Sequence, residues 1–483
     1  MHSEITMNEI GLSRIGPACP LQTAGEDLLF DRLKSLFFVY LMSVYYSPSI
    51  GRALGLGDTN IRPDMFVMVL AFAILIFTPR DLPQANRVEW IGVWLGLYWL
   101  SSLVTALVSL AFLGGQVAAT IAPLTGVLKP LMVYLIFFLW VRGSSAIQRL
   151  EMVYMGLLLS MPLMLIAIGQ FVNFPHVRDI SNTYYGHIGL RGGTLVLQMM
   201  LGGRACSTFD GEPNQFGTFC IIALSCCTVA AIYIRKRSML QCGLFLAFAL
   251  TLFGLLLSWS RGAMGGLAAG LLLIAILTSP LRWMKIALGF LLLAVAVGPF
   301  LPLASTMRVI QLATLRNQHG APIYSEREAI WRANVDLWKK DPLFGVMGVP
   351  VPAPDNLAIG LGSLTGISGL LMMSAALSSA FWMGLSQFRR WARIARERSD
   401  PELLARCALN LMVAVTTLAV VVNGASAPTV IEPRVLEPYW ALVAIVTAPF
   451  AGLAGVAIRH TGSARSAAHD GMGVNAGIVQ QNS

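Results

Sequence analysis

The feature that most constrains this chain is a succession of apolar segments long enough to cross a bilayer. A membrane-spanning helix needs roughly 20 mostly apolar residues. Twelve segments qualify: 33–49, 65–78, 90–113, 121–141, 152–171, 216–234, 239–258, 263–278, 286–303, 361–385, 403–422 and 439–458. The first two are the shortest in usable apolar length. Charged residues make up 12% of the chain, about half the share of an ordinary soluble domain. That excludes a soluble enzyme, a disordered protein and a secreted disulfide scaffold. The expected fold is all-α, a polytopic membrane protein of about 12 transmembrane helices. Residues 1–32 are expected to form a cytoplasmic tail, 33–458 the membrane domain, and 459–483 a disordered cytoplasmic tail.

The formal net charge of +10 fits basic cytoplasmic loops better than nucleic-acid binding, and no nucleic-acid partner is expected. With the N-terminus inside, 19 of the 34 lysines and arginines fall in cytoplasmic segments. Both termini are then cytoplasmic, and the Arg389–Arg398 cluster orients its neighbours. Two long segments, 172–215 and 304–360, fall outside; the second is the large extracytoplasmic loop between the ninth and tenth spans. They carry Arg178, Arg191, Arg204, Arg308, Arg316, Arg327, Arg332, Lys339 and Lys340, which orientation alone does not explain. Residues 1–31 lack the apolar stretch of a cleavable signal. The seven cysteines show no metal spacing, and a Cys206–Cys220 disulfide is a remote alternative to free thiols.

Four motifs carry polar chemistry at the outer surface. Ser258-Trp259-Ser260-Arg261-Gly262-Ala263 joins two spans. Arg261 either marks a helix end by snorkelling or serves an anion site, since a guanidinium beside a helix N-terminus suits a diphosphate. Arg204 to Gly217 leads into a span, with Asp210, Glu212, Pro213 and Asn214; it is a helix start, a polar site, or both. Ser325-Glu326-Arg327-Glu328 reads as a capping box. It opens a helix to about Lys340 on which Arg327, Trp331, Asn334 and Trp338 share a face. That face either lies on the membrane interface or aims Arg327 into a pocket. Finally, Pro342 to Gly348, Asp355-Asn356 and Gly362 to Gly369 lead into the tenth span, where glycines permit tight turns and a carboxylate can cap the helix.

Together and in this order the motifs resemble the O-antigen ligase and Wzy-type polysaccharide polymerase superfamily. Ser260-Arg261-Gly262 is similar to its SRG motif, 327–348 to its R…W…PL.G.G pattern, and Phe209 to Phe216 to its F…PN.F pattern. The resemblance extends over roughly 30–458. It implies a GT-C-like glycosyltransferase at the periplasmic face of the bacterial inner membrane, using a polyprenyl-diphosphate-linked oligosaccharide. It implies no cofactor and no metal. Ligases of the family carry His-Asn shortly before the tenth span, the histidine being a proposed catalytic group; here Asp355-Asn356 stands in that place. The replacement points to a polymerase of exopolysaccharide or O-antigen type.

The mechanism that fits these residues is attack of a sugar hydroxyl on the anomeric carbon of a lipid-linked oligosaccharide, with departure of the polyprenyl diphosphate and inversion. Positioned arginines stabilise the leaving charge, and a base assists the hydroxyl. The expected catalytic residues are Asp355, Arg261 and Arg327, with Asp210 and Glu326 as rivals for the base. Arg204, Asp210, Asn214, Ser260, Trp331 and Asn356 are expected to bind substrate. A flippase and a chain-length regulator are the expected protein partners. The competing readings are a ligase that transfers glycan to a lipid or protein acceptor, a lipid-linked sugar transporter or flippase, and a noncatalytic scaffold. The chain has no two similar halves of the kind many carriers show.

Overall fold

The computed structural model describes residues 24–46, 63–77, 89–113, 115–185, 204–209, 212–233, 239–278, 325–349, 354, 356–397, 400–425 and 433–450. These residues form helices and connecting turns, with no strand among them. In chain order the helices are α1 (Ala24–Tyr46), α2 (Pro63–Phe77), α3 (Trp90–Phe112), α4 (Val117–Val141) and α5 (Ala146–Leu159). Then come α6 (Met161–Phe171), α7 (Pro175–Tyr184), α8 (Pro213–Tyr233), α9 (Met239–Ser258) and α10 (Arg261–Leu277). The last four are α11 (Ser325–Lys340), α12 (Leu357–Glu397), α13 (Pro401–Gly424) and α14 (Pro433–Thr447).

Among the described residues, seven stretches are long and apolar enough to cross a membrane: α3, most of α4, α5 with α6, α8, α9, α12 and α13. Shorter apolar helices occupy the predicted segments at 33–49, 65–78, 263–278 and 439–458. The predicted segment at 286–303 lies outside the described residues. Helix α1 begins at Ala24 rather than near residue 33. The predicted fifth span is broken at Ser160, where Pro162 opens α6 and cannot donate to the preceding turn. Of the long loops, 172–215 contains α7 and 304–360 contains α11.

Helix α13 is the centre of the bundle. It packs against α5, α8, α10 and α12, and nearly all of its middle is buried. Small residues permit that approach, as they do between membrane helices generally. A Cβ at Gly270 would lie 3.1 Å from Val415 Cγ1. One at Gly384 would meet the Asn410 carbonyl at 2.9 Å. By contrast α3 and α9 present exposed Leu100, Leu107, Phe245 and Leu246, the surface a lipid-facing helix carries.

A second group joins α1, α2, α4 and α14 through a buried ionic network. Lys129 Nζ on α4 donates to Asp64 Oδ2 on α2 at 2.9 Å and to Glu437 Oε1 on α14 at 3.0 Å. Tyr40 on α1 donates to Glu437 Oε2 at 3.0 Å. All four side chains are buried. Ionisable groups at membrane depth are tolerated when paired in this way.

At the other end, Arg149 fastens three helix ends. Its guanidinium donates to Ser144 Oγ and to the carbonyls of Val141, Ile445, Ala448 and Pro449, at 2.6–3.0 Å. These carbonyls at the ends of α4 and α14 have no helical partner of their own. The α5 N-terminus beside it is closed by a capping box of Ser145 and Gln148. Glu402 of α13 also accepts from Ala146 N at 2.8 Å.

Candidate functional site

The short segment 204–209 is held by Gln170 at the end of α6. Gln170 Oε1 accepts from Cys206 N at 3.0 Å and Ser207 N at 2.7 Å, and its Nε2 donates to the Ser207 carbonyl at 2.8 Å. Ser207 adopts φ 51°, and its hydroxyl donates to the Leu163 carbonyl. Phe209 is buried against Phe216 and Phe219 of α8. Cys206 and Cys220 are both buried and not joined in a disulfide, so the disulfide alternative fails.

This docking delivers Arg204 to the turn between α9 and α10. Its Nε donates to the Ser258 carbonyl at 2.9 Å, and its second nitrogen to Asn214 Oδ1 in the first turn of α8, also at 2.9 Å. Two motifs separated in sequence thus meet on one guanidinium. The turn itself is tight. Trp259 takes a left-handed φ of 51°, and Ser260 caps α10 by accepting from Ala263 N at 3.4 Å. Gly217 lets α8 touch it, since a Cβ there would lie 2.6 Å from Ser260 Cβ. Arg261 is the first residue of α10 and half-buried. Its guanidinium is therefore based at the positive end of a helix dipole.

Hydrogen bonds continue from Asn214 toward the tenth predicted span. The Asn214 carbonyl accepts from Thr218 Oγ1 at 2.8 Å, which in turn accepts from Asn423 Nδ2 at 2.6 Å. Two residues on, the Ala425 carbonyl accepts from Asn356 Nδ2 at 3.1 Å. Asn356 Oδ1 accepts from Ile359 N at 3.1 Å and caps α12. The capping role expected of a carboxylate at this helix start thus falls to Asn356. Asp355 itself lies outside the described residues, as does Asp210.

Helix α11 packs against α12. Asn334 and Leu337 are buried and Trp331 and Trp338 half-buried. A Cβ at Gly362 would lie 2.7 Å from the Trp338 ring. The face shared by Trp331, Asn334 and Trp338 is therefore turned into protein rather than laid along a lipid surface. Ser325 is the first helical residue, and Glu328 pairs with Arg332 at 2.5 Å. The backbone of Glu326 and Arg327 belongs to this helix, while their side chains lie outside the described residues.

Residues 342–348 then form a strap across two helices. Val346 N donates to the Ser363 carbonyl at 2.8 Å. Thr105 Oγ1 donates to the Phe344 carbonyl at 2.5 Å, and Met347 N to Ser109 Oγ at 2.9 Å. Gly366 breaks α12 at φ 65°, ψ −169°, a region essentially reserved for glycine. A Cβ there would overlap the Leu343 carbonyl.

Residues 246–374 match the family model described as O-antigen ligase. The chain carries a domain of the O-antigen ligase superfamily. The match begins within α9 and ends within α12. It takes in the Ser258–Ala263 turn, α11, the strap and Asn356, and leaves Arg204 and Asn214 outside. A search of curated proteins finds no match to the chain. The match to the O-antigen ligase family over 246–374, together with several apolar helices of spanning length, supports a multi-pass membrane protein.

Within and beside this domain, hydrogen bonds join Arg204 to Asn214 and to the Ser258 carbonyl of the turn that carries Ser260 and Arg261, while Asn356 bonds Ala425, two residues past Asn423. They do not report on Asp210, Asp355 or the side chain of Arg327. Sequence reading missed Gln170, Thr218 and Asn423, uncharged residues inside apolar runs with no local signal of their role. It also passed over the Lys129 network, although a lysine within the apolar stretch 121–141 was a readable sign.

Proposed function

We propose that the protein is a polymerase joining polyprenyl-diphosphate-linked oligosaccharide repeat units into an exopolysaccharide or O-antigen chain. The observation that carries this reading is the meeting of Arg204, Asn214 and the Ser258–Arg261 turn beside an O-antigen ligase domain. In the proposal the polyprenyl diphosphate lies against Arg261 and Arg204, with Arg327 completing the clamp. A guanidinium fork matches phosphate oxygens and keeps its charge throughout. Trp259 and Trp331 support sugar contact. Each buries an indole Nε1 with no hydrogen-bond acceptor among the described residues, and indole rings offer both an apolar face and a donor.

The reaction is a single displacement. An acceptor sugar hydroxyl attacks the anomeric carbon, and the bond from that carbon to the diphosphate oxygen breaks. The hydroxyl proton passes to Asp355, and the anomeric centre inverts. The arginines take the developing negative charge, so the proposed chemistry runs without a metal. Asn356 caps the start of α12, and Asp355 is the residue before it in the chain. The proposed architecture is GT-C-like with twelve spans, both termini cytoplasmic and the site on the periplasmic face of the inner membrane. A flippase supplies the donor and a chain-length regulator limits the product.

The experiment supplies the purified protein with a polyprenyl-diphosphate-linked oligosaccharide alone. Lengthened lipid-linked products are expected. Transfer only after addition of a second acceptor would make the protein a ligase. Movement of the donor between leaflets without transfer would make it a flippase.

A further inference from the structure

Helix α12 is longer than a hydrocarbon core is thick, and its exposed face changes character along its length. From the break at Gly366 to Glu397 the helix spans 31 residues, about 45 Å at 1.5 Å per residue. The hydrocarbon core is about 30 Å thick. One continuous stripe of this helix is exposed. It passes through Ile367, Leu371, Ser374, Ser378, Trp382 and Ser386, spaced three or four residues apart. The next positions on the same stripe are Arg389, Arg393 and Arg396, with Arg390 beside them, all exposed. The opposite face stays in the protein: Phe388 and Trp391 are buried, and the Arg406 guanidinium of α13 sits 5.0 Å over the Trp391 ring.

Apolar and small residues therefore meet lipid for about the depth of the hydrocarbon, and arginines take over where it ends. Since α12 starts at Asn356 beside the candidate site, these arginines lie at the opposite membrane face. None of the four pairs with a carboxylate among the described residues. Among the described side chains the nearby acids are engaged elsewhere: Asp400 caps Glu402 N, and Glu402 pairs with Arg406 and caps α5. Four exposed guanidiniums at headgroup depth, without a carboxylate partner among the described residues, favour an external anion. Held on a lipid-facing stripe, they meet the phosphates of the leaflet first.

We propose that Arg389, Arg390, Arg393 and Arg396 form a binding surface for anionic phospholipid headgroups in the leaflet opposite the candidate site. The phosphodiester sits against the guanidiniums, and the acyl chains lie along the stripe from Ser386 back to Leu371. The surface does not depend on the reaction proposed above. Each basic residue near an anionic surface contributes roughly a fivefold preference, so the full set gives a selectivity well above that of an uncharged span.

The test reconstitutes the full chain in phosphatidylcholine bilayers containing trace spin-labelled phosphatidylglycerol or spin-labelled phosphatidylcholine. Electron spin resonance reads the fraction of each label held at the protein. The wild type is expected to favour phosphatidylglycerol several-fold. The variant with Arg389→Gln, Arg390→Gln, Arg393→Gln and Arg396→Gln is expected to lose most of that preference, and the matching Arg→Lys variant to keep it. Should the fourfold Gln variant fail to fold, Arg393→Gln with Arg396→Gln is expected to fall between. Both leaflets carry label, so insertion orientation does not affect the readout. Equal retention of the two lipids by the wild type, or undiminished selectivity in the Gln variants, would overturn the proposal. So would abolition of the preference by inorganic phosphate but not by chloride at matched ionic strength, which would make the occupant a free anion.

Discussion

Lys129→Met is the most informative single perturbation of the fold. Methionine keeps the length of the side chain and removes the ammonium. In the native protein that ammonium lies 2.9 Å from Asp64 Oδ2 and 3.0 Å from Glu437 Oε1, with Tyr40 on the far oxygen of Glu437. Lys129 is 5%, Asp64 3% and Glu437 2% exposed, so water does not substitute for it. Removing one partner of a buried ion pair costs roughly 3–5 kcal/mol, because it strands a buried charge. Here two carboxyl groups on different helices lose the same ammonium, which puts the expected loss at the upper end of that range. Replacing the whole set by neutral groups is often neutral or stabilising. Lys129→Met combined with Asp64→Asn and Glu437→Gln is therefore expected to recover most of the loss. Unfolding by sodium dodecyl sulfate in mixed micelles, followed by tryptophan fluorescence, measures both. A Lys129→Met protein as stable as wild type would refute the reasoning. A triple variant no better than the single would assign the loss to packing rather than charge.

Three further outcomes follow from local geometry. Gly366→Ala places a Cβ against the Leu343 carbonyl in a conformation worth roughly 1–3 kcal/mol of strain; it is expected to lower the thermal midpoint and loosen the 342–348 strap to limited proteolysis. Arg149→Ala takes its donor from the Ile445 and Ala448 carbonyls, while Val141 and Pro449 keep backbone donors from Ser144 and Gly143, at roughly 1–3 kcal/mol for each that stays buried and unsatisfied, so the purified variant should lose monodispersity on size exclusion. Asn356→Ala removes the α12 cap at about 1 kcal/mol. In a polymerisation assay it should reduce turnover more than this small stability loss accounts for, because the cap also holds the start of α12 to Ala425.

What could be read from the sequence was what is written locally. Runs of about 20 apolar residues gave the spanning helices, and the 3.6-residue spacing of Trp331, Asn334 and Trp338 gave α11. The partner of that helix was not written locally. Gly362 makes room for Trp338, so this face, read as either a lipid interface or a protein pocket, packs its tryptophan on α12. The candidate site shows the same division. Arg204, Asn214 and Ser260 stood out as polar groups at helix ends, yet nothing in their spacing said that Arg204 bonds both the Ser258 carbonyl and Asn214. That meeting depends on Gln170, which holds the 204–209 segment from the end of α6 and in sequence is one polar residue in an apolar run. The Lys129 network has the same character: its three charges are contributed by α2, α4 and α14 and make sense only once those helices pack.

In the proposed function the Arg204–Asn214–Arg261 junction binds the diphosphate of a lipid-linked donor. The most direct measurement is release of polyprenyl diphosphate from a purified polyprenyl-diphosphate oligosaccharide, compared between wild type, Arg204→Lys and Arg261→Ala, each shown to be folded by its unfolding curve. Release by the wild type, with large losses in both variants, is the predicted result, since a point charge does not replace a bidentate fork at Arg204. Release at the wild-type rate by both folded variants would contradict it.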